Sequence, residues 1–127
     1  MTAKNKILIV EDNDFVRAQL ARFLFAEGYE VEEASDGGQA IEKVRADKSI
    51  DIAVVDVRME PIGGFEFLRM IRGFELKTSV ILVTGDQNPD LLSEAAKWGV
   101  EAVLMKPVQK DRLVKAVLRT VQGRARA

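Results

Sequence analysis

The sequence predicts an α/β fold in which a five-stranded parallel sheet is covered by helices. Four short apolar runs, at residues 7–10, 52–55, 80–83 and 102–105, have the length of strands and lack polar alternation. Such runs are typical of parallel strands that are buried on both faces. Stretches with helical spacing of apolar residues separate them, so strands and helices alternate along the chain. At 127 residues and 47% hydrophobic content, the chain has the size and composition of one domain with its own core.

The first half of the chain predicts two strand–helix units. The run at residues 7–10 is the first strand, and a helix follows from about Asp14 to a stop at Gly28. Within residues 29–34, apolar residues alternate with Glu30, Glu32 and Glu33. This pattern predicts a half-exposed edge strand. A second helix is marked by Ala40, Ile41 and Val44.

The second half continues the same alternation. The run at residues 52–55 precedes a helix that begins after Gly64, and the run at 80–83 precedes a helix with Pro89 in its first turn and its end near Gly99. The run at 102–105 precedes a fifth helix with apolar residues from 113 to 121, and residues 123–127 are expected to begin a tail or linker. Connections this short predict right-handed crossovers around one sheet.

Composition excludes several functional classes. The chain has no cysteine and no histidine, so it has no disulfide, no zinc site of the Cys or Cys/His type, no thiol nucleophile and no histidine base. A net charge of −1 gives no general attraction to nucleic acid. Residues 1–6 are polar and the next apolar run is far too short for a signal peptide or membrane span, so we expect a cytoplasmic protein that does not enter a membrane.

Ionisable or hydroxyl side chains follow every apolar run. Glu11 and Asp12 follow the first, Asp56 ends the second, Thr84 follows the third and Lys106 follows the last. In open α/β sheets the ligand crevice lies at the carboxyl ends of the strands, so these groups are expected to share one edge. Each also has a purely structural interpretation, such as a helix cap, a turn residue or a solvated lysine.

The charges of this cluster predict a divalent cation. Two unit charges about 4 Å apart at an effective dielectric of ~20 repel by roughly 4 kcal/mol, so three crowded carboxylates need compensation. Lys106 offsets one of the three negative charges of Glu11, Asp12 and Asp56. The net charge of the cluster is then −2. An all-oxygen site with few protein ligands suits Mg²⁺ better than Ca²⁺.

With these residues in place, the whole chain resembles the receiver domain of two-component response regulators, the chemotaxis-regulator-like fold. The matching motifs occur in the family's order: Glu11-Asp12, Asp56, Gly64, Thr84-Gly85 and Lys106-Pro107. The resemblance implies that residues 1–127 form one receiver domain. It also implies a doubly wound sheet with strand order 2-1-3-4-5 and helices on both faces.

The resemblance also implies a function for each motif. Asp56 would accept a phosphoryl group from a phosphohistidine on a sensor histidine kinase or a histidine phosphotransfer protein, so the chain would be a signalling phosphoacceptor and not an enzyme with a separate substrate. Asp12 and the backbone carbonyl of Arg58 would bind Mg²⁺ directly, together with Asp56. Glu11 would act on the ion largely through water. Thr84 and Lys106 would donate to phosphoryl oxygens. Lys106-Pro107 is expected to be a cis peptide.

Two positions depart from the family pattern. The family's switch aromatic, three positions before the lysine, is replaced by Val103, and the usual proline of the loop after the acceptor is replaced by Glu60, with Pro61 following it. Arg58 and Asp86 flank the phosphorylation pocket and are expected to pair over it.

Other interpretations stay open at this stage. Asp12-x-Asp14 after an apolar strand also resembles the signature of haloacid dehalogenase phosphatases, which would use Asp12 as nucleophile; the late Lys106 and the short chain argue against it. A receiver-like binding module without phosphotransfer is a second alternative. In the receiver interpretation the change of state passes to an effector protein, through the surface of the fourth helix, fifth strand and fifth helix, and phosphorylation-dependent dimerisation there is open.

Overall fold

The structure is a computed structural model that describes residues 5–86 and 88–126, in which strands and helices alternate. The strands are β1 (Lys6–Val10), β2 (Glu30–Ala34), β3 (Ile50–Asp56), β4 (Ser79–Thr84) and β5 (Ala102–Met105). The helices are α1 (Asp14–Phe25), α2 (Gly37–Ala46), α3 (Gly64–Gly73), α4 (Pro89–Lys97) and α5 (Lys110–Arg126). None of the helices in these ranges is long and apolar enough to cross a membrane.

The strands form one parallel sheet in the order β2-β1-β3-β4-β5, which confirms the expected fold class and strand order. The winding reverses at β1, because the chain moves first to β2 on one side and then to β3 on the other. Right-handed connections therefore place α1 and α5 on one face of the sheet and α2, α3 and α4 on the other. The crevice between the ends of β1 and β3 is the point where such sheets bind ligands.

Two apolar cores fill the space between the sheet and its helices. In β1, Ile7 and Ile9 face the core under α1 and α5, whereas Leu8 and Val10 face the core under α2 and α3. All four are essentially inaccessible to solvent, as the absence of polar alternation in this run predicts. Each such side chain contributes about 1.5–3 kcal/mol on burial, and this rigid layer holds the strand ends in register.

Helix ends follow the expected signals at several points. Gly28 and Gly99 have φ values of 91° and 70°, which glycine adopts without strain, and they follow α1 and α4 as predicted. Pro89 lies in the first turn of α4. The N-cap of α1 is Asn13, whose Oδ1 accepts a 2.9 Å hydrogen bond from the Val16 N–H. Neither Asp12 nor Asp14 is therefore needed to cap this helix.

Two expectations from the sequence are wrong. The run at 102–105 was expected to be covered on both faces like the others, but β5 is an edge strand, its residues are only partly buried and Met105 is 38% exposed. The expected tail at 123–127 is helical through Arg126, and Ala127 lies outside the described residues. Arg124 stabilises this last turn by donating hydrogen bonds to the Lys77 carbonyl at 2.8 Å and to Ser79 Oγ at 2.9 Å.

The Lys6–Asp47 ion pair joins β1 to the end of α2 and gives a pH-dependent contribution to stability. The hydrogen bond from Lys6, with further bonds from Ser49, lowers the pKa of Asp47 from 3.8 to about 2. Because the pKa is lower in the folded state, the contribution is complete above the unfolded value and disappears as the pH falls through about 2. Asp47→Asn should therefore be less stable than the parent in urea at pH 7, with the difference vanishing between about pH 4 and pH 2. An unchanged difference across that window would contradict the assignment.

Candidate functional site

The strand register brings the polar residues to one edge of the sheet. Val10 pairs with Val55, so Glu11 lies level with Asp56 at the ends of β1 and β3. Thr84 ends β4 and pairs with Met105, which directly precedes Lys106. The expected meeting of these groups at the carboxyl ends of the strands is therefore observed.

Three carboxylates and one ammonium group form the centre of the cleft. Carboxylate oxygens of Glu11, Asp12 and Asp56 all lie within 4.8 Å of one another. Lys106 Nζ lies 2.7 Å from Glu11 Oε1 and 3.1 Å from Asp56 Oδ2. Glu11 is 1% exposed and Asp56 is 6% exposed, whereas Asp12 lies at the open mouth of the cleft. Lys106 thus bridges the two buried carboxylates.

The pKa shifts in the cleft follow from this crowding. Partial desolvation raises the pKa of Asp12, and the adjacent Glu11 carboxylate raises it further through hydrogen bonding and repulsion. Burial alone lowers the pKa of Lys106, but its contacts with Glu11 and Asp56 outweigh burial, so the net direction is upward. Lys106 is therefore held as a cation between two acids.

The donor set fits a hard divalent cation. Glu11 Oε1 is a buried oxygen that has the Lys106 ammonium, 2.7 Å away, as its partner among the residues that the structure describes. Three carboxylates and one ammonium carry a formal charge of −2, and all the available ligand atoms are oxygens. Oxygen ligands at one open cleft are the environment in which Mg²⁺ binds while keeping several waters.

The expected pair of Arg58 and Asp86 is present. Arg58 Nη2 donates to Asp86 Oδ2 at 2.7 Å, across the loops that follow β3 and β4. The bond from Arg58, together with one from the Asn88 N–H, lowers the pKa of Asp86. Thr84, 1% exposed, accepts a 3.0 Å hydrogen bond at Oγ1 from the Asp86 N–H. The interpretation of Thr84 as a turn residue is thus correct as far as this contact goes, and a hydroxyl that accepts one hydrogen bond can still donate another.

Arg17 is a neighbour of the site that sequence reasoning missed. Its guanidinium donates to the Glu11 carbonyl at 2.8 Å, to Asp14 Oδ1 at 2.7 Å and to Glu33 Oε1 at 3.2 Å. The side chain is 17% exposed and ties α1 and β2 to the segment that carries Glu11. The only sequence signal for Arg17 was its position in the first turn of an amphipathic helix, close to Glu11 and Asp12. An arginine on the polar face of such a helix usually points to solvent, so this signal did not indicate contacts with the site.

The loop between β3 and α3 packs closely against its surroundings. It contains a cis peptide at Glu60-Pro61. Outside this loop, Lys106-Pro107 is also a cis peptide, as expected. Ile62 contacts the start of α2, where the Gly37 N–H donates to the Ile62 carbonyl at 3.3 Å. At Gly64 a Cβ would lie 2.7 Å from the Asp56 carbonyl oxygen and 3.0 Å from Val57 Cα. Glycine at 64 is therefore what lets α3 begin directly beside Asp56.

Comparison with known proteins gives the family. The sequence profile described as "Response regulator receiver domain" matches residues 7–118. The chemotaxis protein CheY of Bacillus subtilis is 30% identical over 118 residues, which is 92% of this chain and 98% of CheY. The regulatory protein AtoC of Escherichia coli is 35% identical over 122 residues, 96% of this chain, but the chain spans only 26% of its length.

A solved structure agrees with the sequence relatives. The CheY-like response regulator receiver domain protein from Methanospirillum hungatei superposes with a TM-score of 0.90 at 25% identity, over 97% of this chain and 98% of that one. The family profile, the near full-length relative and the strand order all indicate the same conclusion. This chain belongs to the family of response regulator receiver domains, which act in two-component signalling.

Proposed function

We propose that this chain is a phosphorylation-activated receiver of the cytoplasm and that Asp56 is its phosphoacceptor. A carboxylate oxygen of Asp56 attacks the phosphorus of a phosphohistidine on a partner protein. The P–O bond forms as the P–N bond breaks, and the electron pair leaves with the imidazole nitrogen, which takes up a proton. These 127 residues contain no histidine, so the donor histidine lies outside them, on a sensor histidine kinase or a histidine phosphotransfer protein.

The contact between Lys106 and the end of β3 is the observation that carries this proposal. Asp56 is buried at the carboxyl end of the central strand, and a lysine ammonium lies 3.1 Å from its carboxylate. The ammonium would balance negative charge on a transferred phosphoryl oxygen, and the Thr84 hydroxyl, at the end of the adjacent strand, would donate to another. A buried aspartate with these two neighbours has the environment of a phosphoryl acceptor.

Glu11, Asp12, Asp56 and the backbone carbonyl of Arg58 are the groups that would hold Mg²⁺ in this cleft. When bound, Mg²⁺ supplies positive charge that offsets the repulsion between the Asp56 carboxylate and an incoming phosphoryl group. Asp12 at the mouth and Glu11 in the interior each offer a carboxylate oxygen within 4.8 Å of one on Asp56.

Phosphorylation with a small donor tests the proposal. Incubation with acetyl phosphate and Mg²⁺ should add one phosphoryl group, detected by intact mass, and peptide mapping after borohydride reduction should place it on Asp56. Modification of Asp12 instead would favour the phosphatase alternative. No mass gain at all would contradict the phosphoacceptor assignment and leave the binding-module alternative.

The change of state is proposed to reach an effector protein through α4, β5 and α5. Leu92, Met105 and Leu118 lie on these three elements and are 52%, 38% and 45% exposed, so this side of the molecule carries apolar contact area. The same surface would serve a phosphorylation-dependent dimer, and sedimentation with and without acetyl phosphate distinguishes a dimer from binding to a different protein.

The Arg58–Asp86 pair should slow loss of the phosphoryl group, because it joins the loops that follow β3 and β4 and would restrict the approach of water to Asp56. Arg58→Ala is expected to increase the rate of dephosphorylation several-fold, measured by the decay of phosphorylated protein after removal of acetyl phosphate. Arg69→Ala, which breaks an exposed ion pair with Glu94 elsewhere, is the matched control and should leave the rate unchanged. Equal decay of the Arg58→Ala variant and the parent would contradict the shielding role.

A further inference from the structure

The outer side of α1 carries two exposed aromatic side chains. Phe15 and Phe25, at the two ends of the helix, are 74% and 72% exposed, more than any other large apolar side chain in the described part of the chain. Buried Leu20 marks the inner side of α1. At 3.6 residues per turn, the side opposite Leu20 is formed by Phe15, Ala18, Arg22 and Phe25, all of them exposed, which we call the outer stripe. Polar residues are the rule on this side of a surface helix, so its two phenylalanines indicate a contact surface.

The outer stripe is complementary to a second copy of itself. Its residues are spaced by three, four and three positions, the spacing of a coiled-coil seam. When two copies of α1 run antiparallel around a two-fold axis, Phe15 lies against Phe25 of the second copy, and Ala18 lies against Arg22 of that copy. Each aromatic ring then meets another ring, and the small alanine leaves room for the long arginine. A parallel pair would instead bring the two Arg22 side chains together.

The charges on α1 favour the same antiparallel arrangement. The first turn carries Asp14 and the last turn carries Arg22. In an antiparallel pair the first turn of one helix lies beside the last turn of the other, so these opposite charges come within about one helical turn of each other. One Asp14 oxygen accepts a hydrogen bond from Arg17, but the Asp14 side chain is 88% exposed and has surface left for a second cation. The dipoles of the two helices also oppose each other in this orientation.

We propose that the outer stripe of α1 is a self-association surface, on which a second copy of this chain binds with its own α1 antiparallel. The contact uses neither the acidic cleft nor the exposed apolar residues of α4, β5 and α5. It therefore goes beyond the proposed function and does not depend on it. Because one pair of short helices covers less than the roughly 1,200 Å² at which stable interfaces begin, the dimer is weak and depends on concentration.

Sedimentation equilibrium in EDTA, without a phosphoryl donor, measures association at concentrations from about 10 μM to about 1 mM. The parent should form dimers over this range. Phe25→Ala should weaken the dimer at least about tenfold, because the substitution removes a ring from both aromatic pairs. Phe74→Ala, which removes an exposed phenylalanine at the end of α3, is the matched control. Leu118→Ala tests the surface of α4, β5 and α5, and both of these variants should associate like the parent.

Disulfide cross-linking reports the orientation, because the chain has no cysteine of its own. Ala18→Cys and Arg22→Cys are made as separate proteins, and their different masses distinguish mixed dimers from dimers of one variant. Under mild oxidation, the antiparallel arrangement predicts that the mixed 18–22 dimer forms faster than the 18–18 dimer of Ala18→Cys alone.

Three results would overturn the proposal. A parent that stays monomeric up to about 1 mM would leave the outer stripe to a partner of different sequence. A dimer that is lost in Leu118→Ala and kept in Phe25→Ala would place association on the other surface. Faster formation of the 18–18 dimer would contradict the antiparallel arrangement. None of these measurements involves phosphorylation, so labelling of Asp56 by acetyl phosphate remains a separate test of the proposed function.

Discussion

Asp56→Asn is expected to abolish phosphorylation by acetyl phosphate and by any histidine kinase, because the amide is not a nucleophile for phosphorus at neutral pH. Intact mass should show no phosphoryl gain under conditions that modify the parent fully. Asp51→Asn is the matched control, since it makes the same change at the other end of β3, where Asp51 contacts Asn5 and Arg124. It should be phosphorylated like the parent. Full modification of Asp56→Asn would show that another carboxylate is the acceptor.

The same substitution should raise stability when divalent cations are absent. Asp56 is repelled by the Glu11 and Asp12 carboxylates and attracted by Lys106, so its charge has one more unfavourable neighbour than favourable ones. Removing that charge is expected to increase the free energy of unfolding by about 1 kcal/mol or more, measured in urea with EDTA. The parent should gain stability on addition of Mg²⁺, and the variant should gain less. A destabilised variant in EDTA would contradict this balance of charges.

Gly64→Ala should be the most damaging single-methyl change near the site. The added Cβ would lie 2.7 Å from the Asp56 carbonyl oxygen and 3.0 Å from Val57 Cα, and neither backbone atom can move without shifting the end of β3. Overpacking of this kind costs about 1–3 kcal/mol, and phosphorylation should slow as well because the start of α3 is pushed away from Asp56. Urea denaturation and the rate of modification by acetyl phosphate measure the two effects.

Gly73→Ala offers a control within the same helix. Gly73 ends α3, and a Cβ there would have no heavy atom within 4 Å. The same substitution should therefore be neutral or stabilising by about 0.5 kcal/mol, because alanine loses less backbone entropy in a helix. Opposite signs for the two variants would locate the effect at the contact with Asp56. A Gly64→Ala variant as stable as the parent would show that α3 can shift without cost.

Much of the fold was predictable because a strand that is buried on both faces is apolar at every position. The runs at residues 7–10, 52–55 and 80–83 are apolar throughout, and all three are central strands. The run at 102–105 has the same composition but is an edge strand, since its place depends on strand order, which periodicity alone does not determine. The helical end of α5 was missed because Gly123 reads as a stop, whereas the contacts of Arg124 with residues on and before β4 compensate for it.

Part of the site was predictable from the sequence as well, and part was not. Parallel strands bring their carboxyl ends to one edge, so the meeting of Glu11, Asp56 and Lys106 follows from order along the chain. The cap of α1 was ambiguous, because Asp12, Asn13 and Asp14 are all chemically suited to it and only local geometry selects Asn13. The Arg58–Asp86 pair was expected from the resemblance, whereas the contacts of Arg17 depend on how α1 lies beside β2 and the segment after β1, which neither pattern nor spacing specifies.

The order of the strands also determines how the sheet avoids joining another sheet. Both β2 and β5 present unpaired backbone groups along one side, and such edges promote edge-to-edge association. Three of the five residues of β2 are glutamates, so an approaching strand meets concentrated negative charge. The other edge is only four residues long, which leaves little backbone for pairing. The alternating glutamates that mark β2 as a half-exposed strand therefore also protect this small domain against aggregation.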